Sequence, residues 1–424
     1  MVAIAKINLW GEFAGAVVWN DQNGYSTFEF DKKFLRSGLD IAPVIMPVST
    51  ALKRSVFSFP DLSRETFKGL PGLLADSLPD RFGNRIIDAW LAAQGKTPES
   101  MNPVERLCYI GKRGMGALEF EPAIQSESSN AIEIEQLVKL AGEILDNRKH
   151  LKSDLSKEGV HEIFRVGSSA GGARAKAIIA YNPATGEVRS GQIDGLAGFE
   201  YWIIKFDGVT NDQLGETKGF GAIEYAYHLM ARECGITMSD CKLLKEHDRS
   251  HFMTKRFDRT AAEKIHMQTL CAMAHFDYND PDSYSYEQAF QIMRVLGLPY
   301  SDTEEMFRRM VFNVIALNRD DHTKNISFLM DRSGKWRLSP AYDVTYAFDP
   351  ANKWLRAHQL SVNGKREHIT ASDMIEVANK MNIKKPAGII DHITDTVKRW
   401  NEFAKTAEVK KAYTDQISTA LSFP

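Results

Sequence analysis

The segment NRDDHTKN, residues 318–325, gathers two carboxylates, two amides, an arginine, a histidine and a lysine in a short stretch. It follows an apolar stretch predicted to form a helix and precedes ISFLM, which is predicted to form a strand. So many polar groups beside an apolar helix must be solvated, hydrogen-bonded to one another or bound to a cation. Asp343 follows in WRLSPAYDV, where a strand is expected to give way to a loop. A carboxylate at a loop edge is suited to be a second metal ligand.

Asp320, Asn325 and Asp343 have the order and separations of a kinase-type phosphotransferase site. In such a site the first Asp orients or deprotonates the acceptor hydroxyl, the Asn holds Mg²⁺, and the second Asp bridges Mg²⁺ to the phosphates of ATP. We therefore predict Asp320 as the catalytic base and Asn325 and Asp343 as magnesium ligands. For the D-x-x-x-x-N piece alone, a solvated loop with an ion pair between Asp321 and Lys324 is a simpler alternative.

The segment GSSAGGARAK, residues 167–176, forms a glycine- and serine-rich loop between two stretches predicted to be strands. Backbone N–H groups of such a loop can face phosphate, which makes Ser168, Ser169, Gly171 and Gly172 candidates for binding the nucleotide. An ordinary hairpin would use the same residue types. The loop precedes a strand that carries a lysine, as a cover over a nucleotide should.

Lys205 lies in the apolar run YWIIKFD, where a charge is costly to bury without a partner. A kinase uses such a lysine to hold the phosphates and braces it with a glutamate from the next helix, a role that Glu224 could fill. The alternatives are an edge-strand lysine that faces solvent and an exposed glutamate at a helix start, which the helix dipole favours.

Residues 251–259, HFMTKRFDR, end the strand-rich half, where a linker that binds adenine would be expected. A plain connector is equally compatible with this composition. For His322 we favour a structural hydrogen bond within the loop, because Asp320 already fits the base. The sequence contains no GxGxxG or HExxH motif, which argues against dinucleotide-binding and zinc-metalloprotease classes.

The composition is that of an ordinary globular protein, with 424 residues, 43% hydrophobic and 25% charged. The length exceeds one compact core and suits two or three subdomains. A formal net charge of −2 shows no excess of basic residues of the kind that binds nucleic acid directly. The four cysteines form no CxxC pair, and no signal peptide or membrane-spanning run is apparent, so we expect the cytoplasm.

Strand-like runs with turn residues dominate the first third of the chain and return between about 161 and 258. Helical periodicity marks residues 131–146, the segment after Lys205 and most of the chain beyond 265. The pattern predicts an α+β fold with two lobes and a cleft between them. The expected boundaries are 1–125, 126–258 and 259–424.

Taken jointly, several motifs resemble the HipA family, the kinase toxins of bacterial toxin–antitoxin pairs. They run in family order between about 70 and 350, and they are LPGLLADSLPDRFGN, GSSAGGARAK, WIIKFD, KRFDR, NRDDHTKN and SPAYDV. The resemblance implies a kinase-like fold with a strand-rich N-terminal lobe, an extra N-terminal subdomain and an all-helical C-terminal lobe. It also implies ATP and Mg²⁺ as cofactors.

The resemblance assigns the same roles to Asp320, Asn325, Asp343 and Lys205 as the residue pattern does. It places Lys255, Arg256 and Phe257 in the adenine-side linker and counts Lys324 among the nucleotide-binding residues. In this family a loop serine can be autophosphorylated, which ejects the loop and switches the kinase off. Ser168 and Ser169 are both possible, and counting back from Lys176 favours Ser169.

The family also implies partners for this chain. Its known substrates are aminoacyl-tRNA synthetases, typically glutamyl-tRNA synthetase, and a small helix-turn-helix antitoxin usually binds the toxin and represses the operon. Contact with DNA would then be indirect, through the antitoxin, and no membrane is involved. Two alternatives stay open at this point: a phosphotransferase acting on small molecules, and a catalytically idle corepressor of kinase shape.

Overall fold

The computed structural model describes residues 4–79, 81–123, 133–146, 174–191, 196–209, 219–260 and 263–421. The predicted strand at 161–167 and the loop residues Ser168, Ser169, Gly171 and Gly172 lie outside them. Within these ranges, no helix combines the length and the apolar character that crossing a bilayer requires.

The N-terminal sheet is antiparallel and has the strand order β4-β3-β2-β1-β5. Its strands are β1 (Ile4–Leu9), β2 (Glu12–Asn20), β3 (Tyr25–Phe30), β4 (Val56–Ser58) and β5 (Leu118–Glu121). Ala5, Ile7 and Leu9 are buried while Ile4 is exposed, the period-two alternation of a sheet with one face on the core. Gly24 adopts a positive φ of 66° in the turn between β2 and β3, as the Asn-Gly pattern predicts.

The second sheet is also antiparallel, with the order β7-β6-β8-β10-β9. It comprises β6 (Lys176–Tyr181), β7 (Val188–Ser190), β8 (Glu200–Lys205), β9 (Cys241–Glu246) and β10 (Arg249–Lys255). Strand β6 is buried along nearly its whole length, which explains its continuous apolar run. One long helix, Phe220–Glu233, packs against β10 and β9 and ends just before Gly235, which has a φ of +79°.

The long helices of the described residues lie mostly where the sequence shows helical periodicity, and shorter helices accompany them. They are α1 (Lys32–Arg36), α2 (Val48–Ala51), α3 (Arg64–Phe67), α4 (Gly72–Ala75), α5 (Arg81–Ala93), α6 (Pro103–Ile110), α7 (Ile134–Asp146), α8 (Phe220–Glu233), α9 (Leu270–Ala274), α10 (Tyr286–Val295), α11 (Tyr300–Ile315), α12 (Ala371–Lys380), α13 (Pro386–Lys398), α14 (Trp400–Thr406) and α15 (Lys411–Ala420). Two short 3₁₀ turns, Pro98–Ser100 and Thr323–Asn325, complete the set.

The two-lobed α+β fold is confirmed, with one correction to the predicted C-terminal lobe. That lobe is helical apart from a three-stranded sheet of β11 (His266–Thr269), β12 (Ser327–Met330) and β13 (Trp336–Leu338). The sequence indicated β12 through ISFLM and β13 through the start of WRLSPAYDV, whereas β11, at four residues, is too short to show a clear alternation. Strand β12 begins directly after the predicted catalytic loop, residues 318–325, and β13 leads towards Asp343.

The packing crosses the boundary predicted at residue 125. One hydrophobic core joins the N-terminal sheet to the C-terminal helices, and Gly72 of α4 lies so close to Ala272 of α9 that a Cβ would not fit. A second core joins α5 to the second sheet, with Phe82 and Ile86 packed among residues such as Ile179 and Trp202. The N-terminal subdomain is therefore built onto both lobes, and its boundaries stay a prediction.

Candidate active site

Lys205 and Glu224 form a buried ion pair between the second sheet and helix α8. Lys205 ends β8, and its Nζ donates to Oε1 of Glu224 at 2.5 Å. Glu224 is 2% exposed, and its other carboxylate oxygen accepts from Arg174 at 3.1 Å. A lysine that faced solvent, or an exposed acid at a helix start, would not be buried in this way. The structure thus brings together the lysine and the glutamate that the sequence proposed as a pair.

Lys205 also donates to Oδ1 of Asp343, so its ammonium links both lobes. Burial opposes the ionisation of Asp343, but the Lys205 ammonium, and then Lys176, outweigh it and hold the pKa of this carboxyl well below its usual range. Burial likewise opposes the charge on Lys205, and the carboxylates of Asp343 and Glu224 overcome it, so the pKa of Lys205 is raised. Both groups are therefore charged at neutral pH.

Asp343 adopts a left-handed backbone conformation with a φ of +53°. Such a conformation costs energy in a residue other than glycine, and it is concentrated at functional sites. The preceding residue, Tyr342, holds the turn in place because its hydroxyl donates to the carbonyl of Lys324 at 2.6 Å. This bond ties the turn at Asp343 to the catalytic loop, and Asn325 and Asp343 line the same small cavity.

The catalytic loop is fastened by its own asparagine. Nδ2 of Asn325 donates to the main-chain carbonyl of Asp320 at 2.7 Å. An amide that donates through its nitrogen can still offer its oxygen to a cation. The oxygen of Asn325 and the ionised carboxylate of Asp343 are the kind of hard ligands that Mg²⁺ prefers, so the residues present fit this ion.

The side chain of Asp320 is half-exposed, and its carboxylate lies 3.8 Å from Nε2 of His322. Desolvation by the surrounding protein raises the pKa of Asp320; His322 opposes this, and the nearby carboxylates of Asp343 and Asp321 add to it. A raised pKa makes a carboxylate a better proton acceptor. His322 therefore stands beside the predicted base, as a neighbouring group within the loop.

Asp321 is a residue whose role the sequence did not reveal. Its carboxylate is buried and accepts from the hydroxyl of Tyr286, from Nδ1 of His358 and from the main-chain N–H of Gln359. Among the described residues, the donors to Asp321 do not include Lys324, in contrast to the ion pair considered as an alternative. Lys324 instead places its Nζ 4.6 Å from the centre of the Tyr278 ring.

The predicted linker residues make side-chain contacts that the sequence did not predict. Nζ of Lys255 donates to Glu200 at 2.6 Å, and the buried guanidinium of Arg256 binds Asp258 through two nitrogens. Phe257 contacts the site region, with its ring 5.6 Å from that of Tyr342. The side chains of Lys255 and Arg256 are thus engaged within the protein, and a nucleotide contact in this segment remains a proposal for its main chain and for Phe257.

Lys176 is a second lysine of the site, and the sequence did not indicate a role for it. It pairs in register with Lys205 on the neighbouring strand, so both side chains lie on the same face of the sheet. Lys176 is 3% exposed and helps to keep Asp343 ionised. Its position at the end of the glycine-rich loop was the signal that could have identified it.

The described residues also contain a group of possible metal ligands away from this site. Glu135, Glu246 and His247 approach one another on the surface. His247 and Glu135 are both exposed, and exposed acidic groups are common without a metal. The group carries no functional assignment.

The architecture is that of a two-lobed kinase-like fold. A strand-rich lobe carries the pair of Lys205 and Glu224, and a helical lobe carries the loop with Asp320 and Asn325. Residues 168–401 match the family model described as the HipA-like C-terminal domain, and residues 5–121 match that of the HipA N-terminal domain. The chain belongs to the HipA family.

Two curated relatives come from Sinorhizobium fredii. The protein named "Putative kinase Y4dM" is 25% identical over 237 residues, which are 51% of this chain and 56% of the relative. The protein named "Putative kinase Y4mE" is 23% identical over 125 residues, which are 27% of this chain and 30% of the relative. The matches thus span about half or less of these relatives.

A solved structure of the Shewanella oneidensis toxin–antitoxin system, with HipA, HipB and operator DNA, contains a chain of the same fold. The TM-score is 0.69 at 15% identity, with 98% of this chain and 95% of that chain covered. At this identity the likeness shows the fold, and it extends over both lobes and the N-terminal subdomain.

Proposed function

We propose that this protein is an ATP- and Mg²⁺-dependent serine/threonine protein kinase that acts as the toxin of a toxin–antitoxin pair. The observation that carries the proposal is the ammonium of Lys205, which lies between Glu224 on one lobe and Asp343 on the other. A buried lysine held in this way is oriented for phosphate groups rather than for solvent.

Each residue has a role that follows from its surroundings. Lys205 and Lys176, on one face of the second sheet, bind the phosphates of ATP, which replace Asp343 as partners of Lys205. Asn325 and Asp343 hold Mg²⁺ through oxygen atoms. When bound, Mg²⁺ neutralises charge on the phosphates and positions them. Lys324, in the catalytic loop, is proposed as a further cation near the nucleotide.

Asp320 orients the acceptor hydroxyl and accepts its proton as the oxygen attacks the terminal phosphorus of ATP. The bond between that phosphorus and the bridging oxygen breaks, and ADP leaves with the electron pair. The half-exposed position of Asp320 leaves room for a protein side chain to approach. Desolvation, and then the nearby carboxylates of Asp343 and Asp321, raise the pKa of Asp320 and thereby support proton uptake.

The finer parts of the proposal rest on the family. We propose a helix-turn-helix antitoxin as partner, contact with DNA only through that antitoxin, and an aminoacyl-tRNA synthetase, by resemblance glutamyl-tRNA synthetase, as substrate. The fold shared with the HipA chain in complex with HipB and operator DNA supports this view of the partners. The cytoplasm is the proposed location.

The test is incubation of the purified protein with radiolabelled ATP and Mg²⁺, with glutamyl-tRNA synthetase and with total cell protein as separate substrates. Transfer to a serine or threonine that requires both Mg²⁺ and Asp320 supports the proposal. A phosphorylated small molecule, with protein left unlabelled, would show instead a phosphotransferase of another substrate class.

A further inference from the structure

Asp321 follows the predicted base directly, yet its surroundings are the opposite of those of Asp320. Its side chain is 1% exposed, and its two oxygens accept hydrogen bonds of 2.7 Å from the Gln359 N–H, 2.8 Å from the Tyr286 hydroxyl and 3.0 Å from Nδ1 of His358. A carboxylate can only accept here, so Nδ1 of His358 carries the hydrogen. Burying a carboxylate is unfavourable unless its oxygens are satisfied in this way.

These donors come from two different parts of the C-terminal lobe. Tyr286 begins helix α10, whereas His358 and Gln359 lie in the segment that follows Asp343. The hydroxyl of Tyr286 also accepts from Nδ2 of Asn313 in α11 at 2.9 Å. Oδ1 of Asn313 in turn accepts from Nδ2 of Asn318 at 2.9 Å. A single buried carboxylate therefore joins the catalytic loop to α10 and to the segment after Asp343.

The carboxylate of Asp320 has no comparable support of its own. Among the described residues, the imidazole of His322 approaches it to 3.8 Å, which is beyond hydrogen-bonding distance. Its backbone, however, is held on both sides. Before it, the N–H of Arg319 donates to the carbonyl of Ala347 at 3.1 Å, and after it Asp321 is fixed by its three donors. The orientation of the base therefore depends on these two anchors, together with the Asn325 amide that donates to the carbonyl of Asp320 at 2.7 Å.

The charge of Asp321 matches the donors that surround it. Burial opposes the ionisation of Asp321, but His358, Tyr286 and the Gln359 N–H outweigh it and lower the pKa of this carboxyl. Asp321 is thus a fixed, ionised acceptor for its three donors.

We infer that Asp321 and His358 are positioning residues, which fasten the segment after Asp343 to the catalytic loop and thereby aim Asp320 at the acceptor. The inference rests on the proposed function. The carbonyl of His358 is itself held by Nε of Arg366 at 2.5 Å, so the donor is fixed as well as the acceptor. Loss of the bond lets the loop shift, and a displacement of about 1 Å at a catalytic group can cost on the order of 10²-fold in rate.

The experiment compares His358→Ala with His358→Asn. The asparagine amide supplies an N–H close to where Nδ1 of histidine does, whereas alanine supplies none. We expect His358→Ala to lower kcat for protein phosphorylation about 10²-fold, with the KM for ATP changed less than about twofold. His358→Asn should recover most of the loss. His368→Asn, at an exposed histidine of the same segment, is the matched control.

Thermal unfolding and MgATP binding are measured for every variant, and rates are taken well below each unfolding temperature. A folded His358→Ala variant with the kcat of the wild type overturns the inference. So does a loss of kcat that His358→Asn does not relieve, because a purely structural role predicts parallel losses in both variants. If the wild type transfers no phosphoryl group, the proposed function and the inference fail together, whereas an active wild type with an unaffected variant overturns the inference alone.

Discussion

Lys205 at the end of β8 and Glu224 in α8 form a buried ion pair with an Nζ to Oε1 distance of 2.5 Å. The pair fixes the helix to the sheet and holds the lysine at the cleft, where Asp343 of the other lobe meets it. Breaking one member of a buried pair is costly because the other charge is left without compensation. The pair therefore serves both stability and nucleotide binding in the proposed kinase.

Replacing Glu224 by Gln keeps the side-chain volume and removes the charge. We expect a loss of a few kcal/mol in the free energy of unfolding. The KM for ATP should also rise, because Lys205 loses the ionised carboxylate of Glu224 that orients its ammonium. Glu233→Gln, at the exposed end of the same helix, should change stability by less than about 1 kcal/mol. Urea unfolding and steady-state kinetics check both; equal effects of the two substitutions would contradict the special role of Glu224.

Asn325→Ala and Asp343→Ala should weaken the binding of nucleotide that depends on Mg²⁺. Each removes one oxygen ligand from a cation whose other ligands are waters and phosphates. The check is the thermal shift produced by ATP with and without Mg²⁺. Asp395→Asn, an exposed carboxylate on α13, is the control. An undiminished Mg²⁺-dependent shift in Asp343→Ala would remove Asp343 from the metal site.

Asp258 makes the stability of the fold depend on pH. Burial opposes its ionisation, but the guanidinium groups of Arg256 and Arg259 outweigh it and lower the pKa of this carboxyl to about 2. An unfolded Asp has a pKa near ~3.9, so the ionised group stabilises the fold above that pH and loses this contribution as the pH falls towards 2. The contribution at neutral pH is on the order of 2–3 kcal/mol.

Asp258→Asn should accordingly cost most stability at neutral pH and progressively less below pH ~4. Denaturant unfolding of the wild type and the variant at pH 7, 4 and 3 measures the difference. A difference that stays constant over this range would show that Asp258 has no lowered pKa. The same variant should loosen the N-terminal subdomain, because Asp258 also accepts from the N–H of Gly116 at 2.7 Å.

Self-phosphorylation on the glycine-rich loop stays a prediction, because Ser168 and Ser169 lie outside the described residues. We expect phosphate on Ser169 after incubation with ATP and Mg²⁺. The added charge of about −1.5 to −2 would repel the phosphates of ATP and the carboxylates of the metal site. Intact mass and peptide mapping of the wild type, Ser168→Ala and Ser169→Ala provide the check. Transfer to an external substrate without phosphate on either serine would leave the kinase proposal standing and end the idea of self-inactivation.

The sequence predicted the parts of the site that depend on local order. A lysine in an apolar strand run followed by a glutamate in the next helix was enough to propose the pair of Lys205 and Glu224. The spacing from Asp320 to Asn325 and Asp343 likewise reflects a loop and a short hairpin, whose lengths the sequence displays directly.

The features that the sequence did not show have different causes. Asp321 looks like any loop carboxylate in the sequence, since its donors Tyr286 and His358 lie 35 and 37 residues away. Arg256 stays a predicted linker residue, and the fold adds that Asp258, two residues further on, binds its guanidinium. Two short strands of the C-terminal lobe, β12 and β13, coincide with ISFLM and the start of WRLSPAYDV, which the sequence indicated as strands. Strand β11 was missed because its four residues display no reliable period.

The most direct test of the proposed kinase is the transfer rate of Asp320→Ala, measured with radiolabelled ATP beside equilibrium binding of MgATP. The conservative control is Asp349→Asn, because an asparagine can still accept from the Ala351 N–H at this exposed turn. Asp320 is assigned to the acceptor hydroxyl, so the variant should lose about 10²–10⁴-fold in transfer rate and keep nearly all of its affinity for nucleotide. Transfer at the wild-type rate by Asp320→Ala would contradict the assignment and the mechanism built on it.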